Sequence, residues 1–193
     1  MQTPGHVVLN LTLIGSAFGH EGAVIAGAIV PDLPIFILYL YERARKTPPE
    51  VIWSVCYQHE HWLAIIHGAH SIPIALFGIA AGWLVNSPAM MLFFTSVLAH
   101  ASCDFPLHAI DAHRHFFPLS EYRFISPLSY WDVRYHGKTV AQIEAFLVLV
   151  CSIYLYLVMG PRWTAIPAPA LATLLALVNV WYAQNYFRNI AHA

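Results

Sequence analysis

Histidine and aspartate recur at helical spacing in a chain that is otherwise poor in charge. Twelve histidines stand among 193 residues, of which only 10% are charged. His67 and His70 are three residues apart and His100 and Asp104 are four apart, so each pair shares one face of a helix. Imidazole nitrogens and carboxylate oxygens together suit zinc, iron and manganese, whereas calcium and magnesium prefer nearly all-oxygen sites. The two pairs therefore predict a site for a divalent metal ion.

Asp32 is a second signal, because it interrupts an apolar stretch between Pro31 and Pro34. An ionisable side chain inside a membrane segment costs roughly 2.5–3.5 kcal/mol on insertion scales and indicates a functional position. His6 precedes another apolar run and is expected at the same membrane face as the two pairs. Zinc is the favoured ion, with manganese or iron as alternatives. The predicted metal ligands are His6, Asp32, His67, His70, His100 and Asp104.

Further donors follow directly after Asp104, namely His108, Asp111, His113 and His115. They are sufficient for a second ion or for a proton shuttle, and mixed ligation of this kind is typical of two-metal hydrolytic sites. Asp104 or Asp111 is the predicted general base, and His108 or His113 the predicted general acid. Arg114 and Arg123 are predicted to bind an anionic headgroup.

These residues also have simpler interpretations. His67 could be a hydrogen-bonded core histidine. His100 and Asp104 could form a buried hydrogen-bonded pair, and Asp32 could pair with an arginine instead of a metal ion. All of these alternatives stay open at the level of sequence.

The composition places these groups in a membrane protein. Hydrophobic residues make up 59% of the chain, and nine Lys and Arg against ten Asp and Glu leave no basic field for nucleic acid. Three cysteines without C-x-x-C spacing argue against a disulfide framework and against a metal site made of cysteines alone. We expect one integral membrane domain over residues 1–193, in contact with membrane lipid, with a homo-oligomer or a partner membrane subunit as further possibilities.

Apolar stretches of about 20 residues span a bilayer as helices. The fold class predicted from them is an all-α, polytopic membrane bundle with five or six spans. The candidate stretches are 7–19, 22–41, 62–85, 88–104, 141–159 and 165–187. The first is too short for a clear span.

Basic residues predict the orientation of the bundle. Eight of the nine Lys and Arg fall in segments 42–61 and 105–140 and near the C-terminus, which predicts a cytoplasmic location for all three. Prolines at 106, 118 and 127 break any long helix in segment 105–140. Its aromatic content predicts an irregular, ordered loop at the cytoplasmic membrane interface.

The motifs TPGH, GAIVPD, HGAHS, HASCD, FFPLS and SPLSYWD follow one another over residues 3–132. Their order and spacing resemble those of small bacterial inner-membrane proteins known as membrane-bound metal-dependent hydrolases. The resemblance implies metal ligation by His6, Asp32, His70, His100 and Asp104, and location in the inner membrane. This chain differs in having Ala69 before His70 and His67-Gly68 in place of an Arg-Gly pair, which removes an arginine available for phosphate. The motif order is also distantly similar to that of zinc-dependent phospholipase C, which implies phosphoester chemistry.

The leading functional hypothesis is a metal-dependent hydrolase acting on an ester or phosphoester of a lipid-like substrate. One alternative is a non-enzymatic subunit that binds haem or a pigment through axial histidines, which would leave Asp32 and Asp104 without a role. Another is a small ion-coupled transporter with Asp32 on the ion path.

Overall fold

The computed structural model describes residues 1–15, 19–159 and 168–191. Every regular element in these ranges is helical and no strand occurs among them, which confirms the all-α prediction. The α-helices are α1 (Thr3–Ile14), α2 (Glu21–Ile29), α3 (Leu33–Ala44), α4 (Pro49–Ser54), α5 (Glu60–Ala69), α6 (Ile72–Leu84), α7 (Pro88–Asp104), α8 (Gly137–Tyr154) and α9 (Ala168–Ala191).

Helices α1, α2 and α7 pack against one another at the centre of the molecule. The Asn10 amide donates to both the carbonyl and the hydroxyl oxygen of Ser96, each at 2.9 Å, and the Ser96 hydroxyl donates to the Val24 carbonyl at 2.6 Å. Gly27 lies directly against the Phe93 carbonyl, where a side chain would not fit. Polar bonds and a close backbone contact therefore fix α2 against α7.

Apolar packing continues outward from this centre to α8 and α9. The buried cluster includes Val8, Leu11, Val24, Val148, Leu155 and Leu171. The outer faces are also apolar, because large side chains such as Phe77 on α6 and Phe146 on α8 are 75% and 64% exposed. Exposed apolar faces of this extent are expected where helices meet lipid.

Two interruptions of helical geometry bring polar residues into the centre. A 3₁₀ turn, Val30–Asp32, separates α2 from α3, and Pro31 within it lacks the N–H needed to continue the helical bonding pattern. Helices α5 and α6 meet at His70 and Ser71 with a bend of 49°. The Ser71 hydroxyl accepts a hydrogen bond from the Ile74 N–H at 3.1 Å and so begins α6.

The number of membrane-crossing helices is smaller than predicted. Two segments are long and apolar enough, Glu21–Ala44 and Gly137–Leu157, and the bent pair α5–α6 makes a third if it is taken as one span. The expectation of five or six spans is therefore wrong for the described residues. Hydropathy does not detect the bend at His70, α1 has only 12 residues and α7 has 17. The stretches 7–19 and 165–187 both extend into residues outside the described ranges.

Between α7 and the start of α8 at Gly137, the segment contains one 3₁₀ turn, Val133–Tyr135, and otherwise has no helix or strand. The predicted irregular loop therefore ends before residue 140, because residues 137–140 belong to α8. It is folded onto itself and onto α6 by backbone hydrogen bonds. Ser126 N–H donates to the His108 carbonyl at 3.1 Å, Tyr130 N–H to Leu107 at 3.0 Å, and Ile72 N–H to His115 at 2.9 Å. These bonds hold its histidines over the end of α7.

Candidate metal centre

Four side chains from separate parts of the fold converge at one buried point. Asp32 lies in the 3₁₀ turn, His70 at the α5–α6 bend, and His100 and Asp104 in the last turns of α7. One ligand atom from each lies within 4.8 Å of the others. His70 and His100 are fully buried and Asp104 is 2% exposed. We call these four residues the inner ligand group.

The separations within this group have the size of a cage for one small cation. The Nε2 atoms of His70 and His100 each lie 3.6 Å from Oδ1 of Asp32, and 3.8 Å and 3.4 Å, respectively, from Oδ2 of Asp104. Two ligands held tetrahedrally at about 2.1 Å from zinc are about 3.4 Å apart. The separations also exceed hydrogen-bond length, which is at most about 3.2 Å for N–H···O. The atoms are thus spaced for a shared ion rather than for direct pairing.

Backbone carbonyls fix the orientation of both imidazoles. His70 donates from Nδ1 to the Ile66 carbonyl at 2.9 Å, and His100 donates from Nδ1 to the Ala28 carbonyl at 2.7 Å. A carbonyl can only accept, so Nδ1 carries a proton in both residues and Nε2 is the nitrogen that can bind a metal ion. Both Nε2 atoms are buried and form no hydrogen bond with the described residues. Metal-binding histidines are held in this way, with the second nitrogen bonded to a carbonyl or carboxylate.

The two carboxylates are held as well. The Thr3 hydroxyl donates to Oδ2 of Asp32, so that Oδ1 faces the imidazoles. Nε2 of His6 lies 3.0 Å from Oδ1 of Asp104, and the amino group of Met1 contacts the same oxygen at 2.5 Å. These contacts leave the other oxygen of Asp104, Oδ2, facing the imidazoles of His70 and His100.

A second set of ligands shares Asp104. Asp104, His108 and His113 offer atoms that lie within 4.8 Å of one another, and Nε2 of His108 is 3.5 Å from Oδ2 of Asp104. His108 donates from Nδ1 to Oδ2 of Asp111 at 2.9 Å, and the Trp131 indole donates to the same oxygen at 2.8 Å. We call Asp104, His108 and His113 the outer ligand group.

The electrostatics of the loop histidines agree with a ligand role. Burial lowers the pKa of His113 well below its usual value, so this imidazole is neutral and able to bind a cation. Burial also opposes charge on His108, but the Asp104 and Asp111 carboxylates outweigh it and raise the pKa of His108. A position where carboxylates favour positive charge against burial is one where a cation is stabilised.

A cavity of about 520 Å³ opens beside the outer ligand group. His108, His113 and Asp111 border it, together with Arg123, which forms no hydrogen bond or ion pair with the described residues. None of the inner ligand group lines this cavity. The outer group therefore borders this open space, whereas three residues of the inner group are buried and its Asp32 side chain is 14% exposed.

The remaining predicted residues lie close by but outside both groups. His6 stacks on His100 with ring centroids 3.5 Å apart and contacts Asp104. His67 accepts a hydrogen bond from the Arg114 N–H at 3.4 Å, and burial lowers the pKa of the neighbouring His115 to about 4. The Arg114 guanidinium forms an ion pair with Glu121. Of the two predicted arginines, only Arg123 borders the cavity.

The sequence predicts an aromatic loop over residues 105–140 at the membrane interface, but it does not identify the individual aromatic residues of the site. Trp53, Tyr57, Tyr130 and Trp131 line the cavity, and Trp131 also bonds to Asp111. Their only signal in the sequence was a general aromatic enrichment next to the basic segments.

Comparisons of the chain with protein-family models, with curated proteins and with solved structures find no match.

Proposed function

We propose that the protein is a membrane-embedded, metal-dependent hydrolase that acts on an ester or phosphoester of a lipid-like substrate. The observation that carries this proposal is that the outer ligand group opens onto a cavity that also contains a carboxylate and an unpaired guanidinium. Structural metal sites are closed by protein ligands, whereas catalytic sites keep a position for water or substrate. The resemblance of the motif order to that of bacterial membrane-bound metal-dependent hydrolases supports the same proposal.

The bound ion would supply a water of lowered pKa and polarise the scissile group. Asp111 is the residue that fits the proton transfer. Its Oδ2 is engaged by His108 and Trp131, while its Oδ1 is buried, without a hydrogen-bond partner, on a residue that borders the cavity. Asp111 Oδ1 accepts the proton from water and returns it to the leaving oxygen. His108 and His113 then serve as ligands, not as acids.

The cavity walls suit an amphiphile. Arg123 provides a planar donor group for an anionic headgroup. Trp53 and Trp131 are 45% and 49% exposed, and aromatic side chains of this kind are enriched at the membrane interface. A lipid-like molecule would place its polar group against the outer ligand group and its chain between these aromatic side chains.

The proposal includes a metal and a location. Mixed imidazole and carboxylate ligation favours zinc, with manganese or iron as alternatives. The basic segments and the C-terminus would face the cytoplasm across a bacterial inner membrane. The exposed apolar faces would contact lipid, a second copy of the chain or a partner membrane subunit.

The test is metal analysis and hydrolysis by protein purified in detergent. Wild-type protein should contain a divalent metal and hydrolyse at least one member of a panel of carboxylic esters, phosphoesters and phospholipids. His100→Ala should lose bound metal and activity together, because it removes an inner ligand. His59→Ala, which changes an exposed histidine outside both groups, should retain both.

Two results would contradict the proposal. One is unchanged metal content in His100→Ala. The other is metal-loaded wild-type protein that hydrolyses no member of the panel. In that case a visible haem absorption band would favour a haem-binding subunit, and metal flux into vesicles would favour a transporter.

A further inference from the structure

We infer that the centre binds two divalent ions bridged by the Asp104 carboxylate, and that the ion in the outer ligand group is the one that activates water. The number of ions follows from the ligand geometry alone. The role of the outer ion rests on the proposed function.

The first support is the position of Asp104 between the two groups. Its Oδ2 lies 3.4 Å from Nε2 of His100 on the inner side and 3.5 Å from Nε2 of His108 on the outer side. Asp104 is also the one residue that belongs to both groups. Carboxylate-rich hydrolytic sites hold paired ions about 3.5–4 Å apart, which a single shared carboxylate can bridge.

The second support is that one ion leaves a ligand unused. The Nε2 atoms of His70, His100 and His108 are all buried and form no hydrogen bond with the described residues. An ion in the inner ligand group accounts for His70 and His100. His108 belongs to the outer group, and its Nε2 lies 3.5 Å from Oδ2 of Asp104 without a hydrogen bond. A second ion between these two atoms would bind both of them.

The orientation of His108 repeats that of the inner imidazoles. His70 and His100 each donate from Nδ1 to a carbonyl, and His108 donates from Nδ1 to Asp111. In all three residues this bond leaves Nε2 directed towards Asp104, at distances of 3.4–3.8 Å. A hydrogen bond that fixes the remote nitrogen is the usual arrangement around metal-binding histidines. The fold thus prepares His108 as a ligand in the same way.

The two sites differ in ways that assign their roles. The inner group has four protein ligands, none of which borders the cavity, and this number of ligands matches a closed site. The outer group has three, of which His108 and His113 border the cavity. Closed four-ligand sites are structural, and sites with three protein ligands carry water in the remaining position. The outer ion is therefore the one that water and substrate can reach.

The experiment uses full-length protein in detergent, stripped of metal and then titrated with Mn²⁺. Wild-type protein should bind two Mn²⁺ per chain, and its electron paramagnetic resonance spectrum should show magnetic coupling between them. His113→Ala should bind one Mn²⁺, lose the coupling and lose hydrolysis. His59→Ala should behave as wild type. The coupling in wild-type protein tests the inference even if His113→Ala does not fold.

The outcomes separate this inference from the proposed function. One uncoupled Mn²⁺ per chain in an active wild-type protein would overturn the two-ion centre and leave the hydrolase proposal intact. Two coupled ions without hydrolysis would support the count of ions and overturn both the hydrolase proposal and the role of the outer ion. Two ions in His113→Ala would overturn the outer ligand group.

Discussion

The contact between α2 and α7 offers a test of how the fold sets the metal site, through Gly27→Ala. A Cβ atom at Gly27 would overlap the Phe93 carbonyl and lie 2.8 Å from Cβ of Ser96, whereas ordinary contacts begin at 3.4 Å. The Ser96 contact alone requires the helices to separate by about 0.6 Å, and the Phe93 carbonyl requires more. Both partners lie in the helix and cannot rotate away.

That displacement is large on the scale of the metal site. Asp32 lies in the 3₁₀ turn that directly follows α2, and His100 lies on α7. A shift of about 0.6 Å along the line between them would lengthen their 3.6 Å ligand separation to about 4.2 Å. This is the greatest distance that two ligands of one ion can have at bonds of about 2.1 Å. The 2.7 Å bond from His100 to the Ala28 carbonyl would stretch to about 3.3 Å, beyond the usual range.

We therefore expect Gly27→Ala to weaken both stability and metal binding. Overpacking of this kind costs about 1–3 kcal/mol, and a chain of this size loses about 2–4 °C in Tm per kcal/mol. The measurement is thermal unfolding in detergent with and without saturating Zn²⁺, because a ligand that binds only the folded state raises Tm. Gly27→Ala should show a lower Tm and a smaller rise with Zn²⁺.

The control is Gly22→Ala in the same helix. A Cβ at Gly22 meets nothing within 4 Å, so this variant should keep the wild-type Zn²⁺ response and gain at most about 1 kcal/mol from helix propensity. Equal Zn²⁺ responses in Gly27→Ala and wild type would refute the proposed link between helix packing and the metal site.

Two further predictions concern the cavity. Asp111→Asn removes the proposed proton acceptor and the charge that orients His108, so turnover should fall about 10²–10⁴-fold while metal analysis still finds the inner ion. Undiminished turnover would exclude a role for this carboxylate. Arg123→Gln should lower kcat/KM for anionic substrates more than for matched neutral esters, because Arg123 borders the cavity. Arg134→Gln is the control, since Arg134 is paired with Asp132. An equal loss on both substrates would show that Arg123 does not recognise charge.

Four of the six ligands predicted from the sequence form the inner ligand group, and the reason is physical. An ionisable residue in an apolar segment needs a partner, and Asp32 next to Pro31 has no partner nearby in the chain. The spacing of His100 and Asp104 puts them on one helix face, and the structure brings that face to Asp32 and His70.

Other features depend on tertiary contacts that the sequence does not encode locally. His6 was predicted as a ligand, and the structure places it against Asp104 and His100, outside both ligand groups. Asp111 was predicted as a base on the strength of its position near Asp104. Only the folded loop shows that one of its oxygens holds His108 while the other is left without a partner.

The charge of the two ligand groups connects the metal count to the choice of substrate. In the inner group, the carboxylates of Asp32 and Asp104 carry as much negative charge as one divalent ion carries positive charge. A second ion in the outer group meets only neutral His113, His108 and the already shared Asp104. The positive charge of this ion and of the neighbouring Arg123 together exceeds the single negative charge of Asp111. A cavity with this surplus attracts anions, so two bound ions favour a phosphoester over a neutral ester. The stronger effect of Arg123→Gln on anionic substrates and the two-ion count should therefore be observed together.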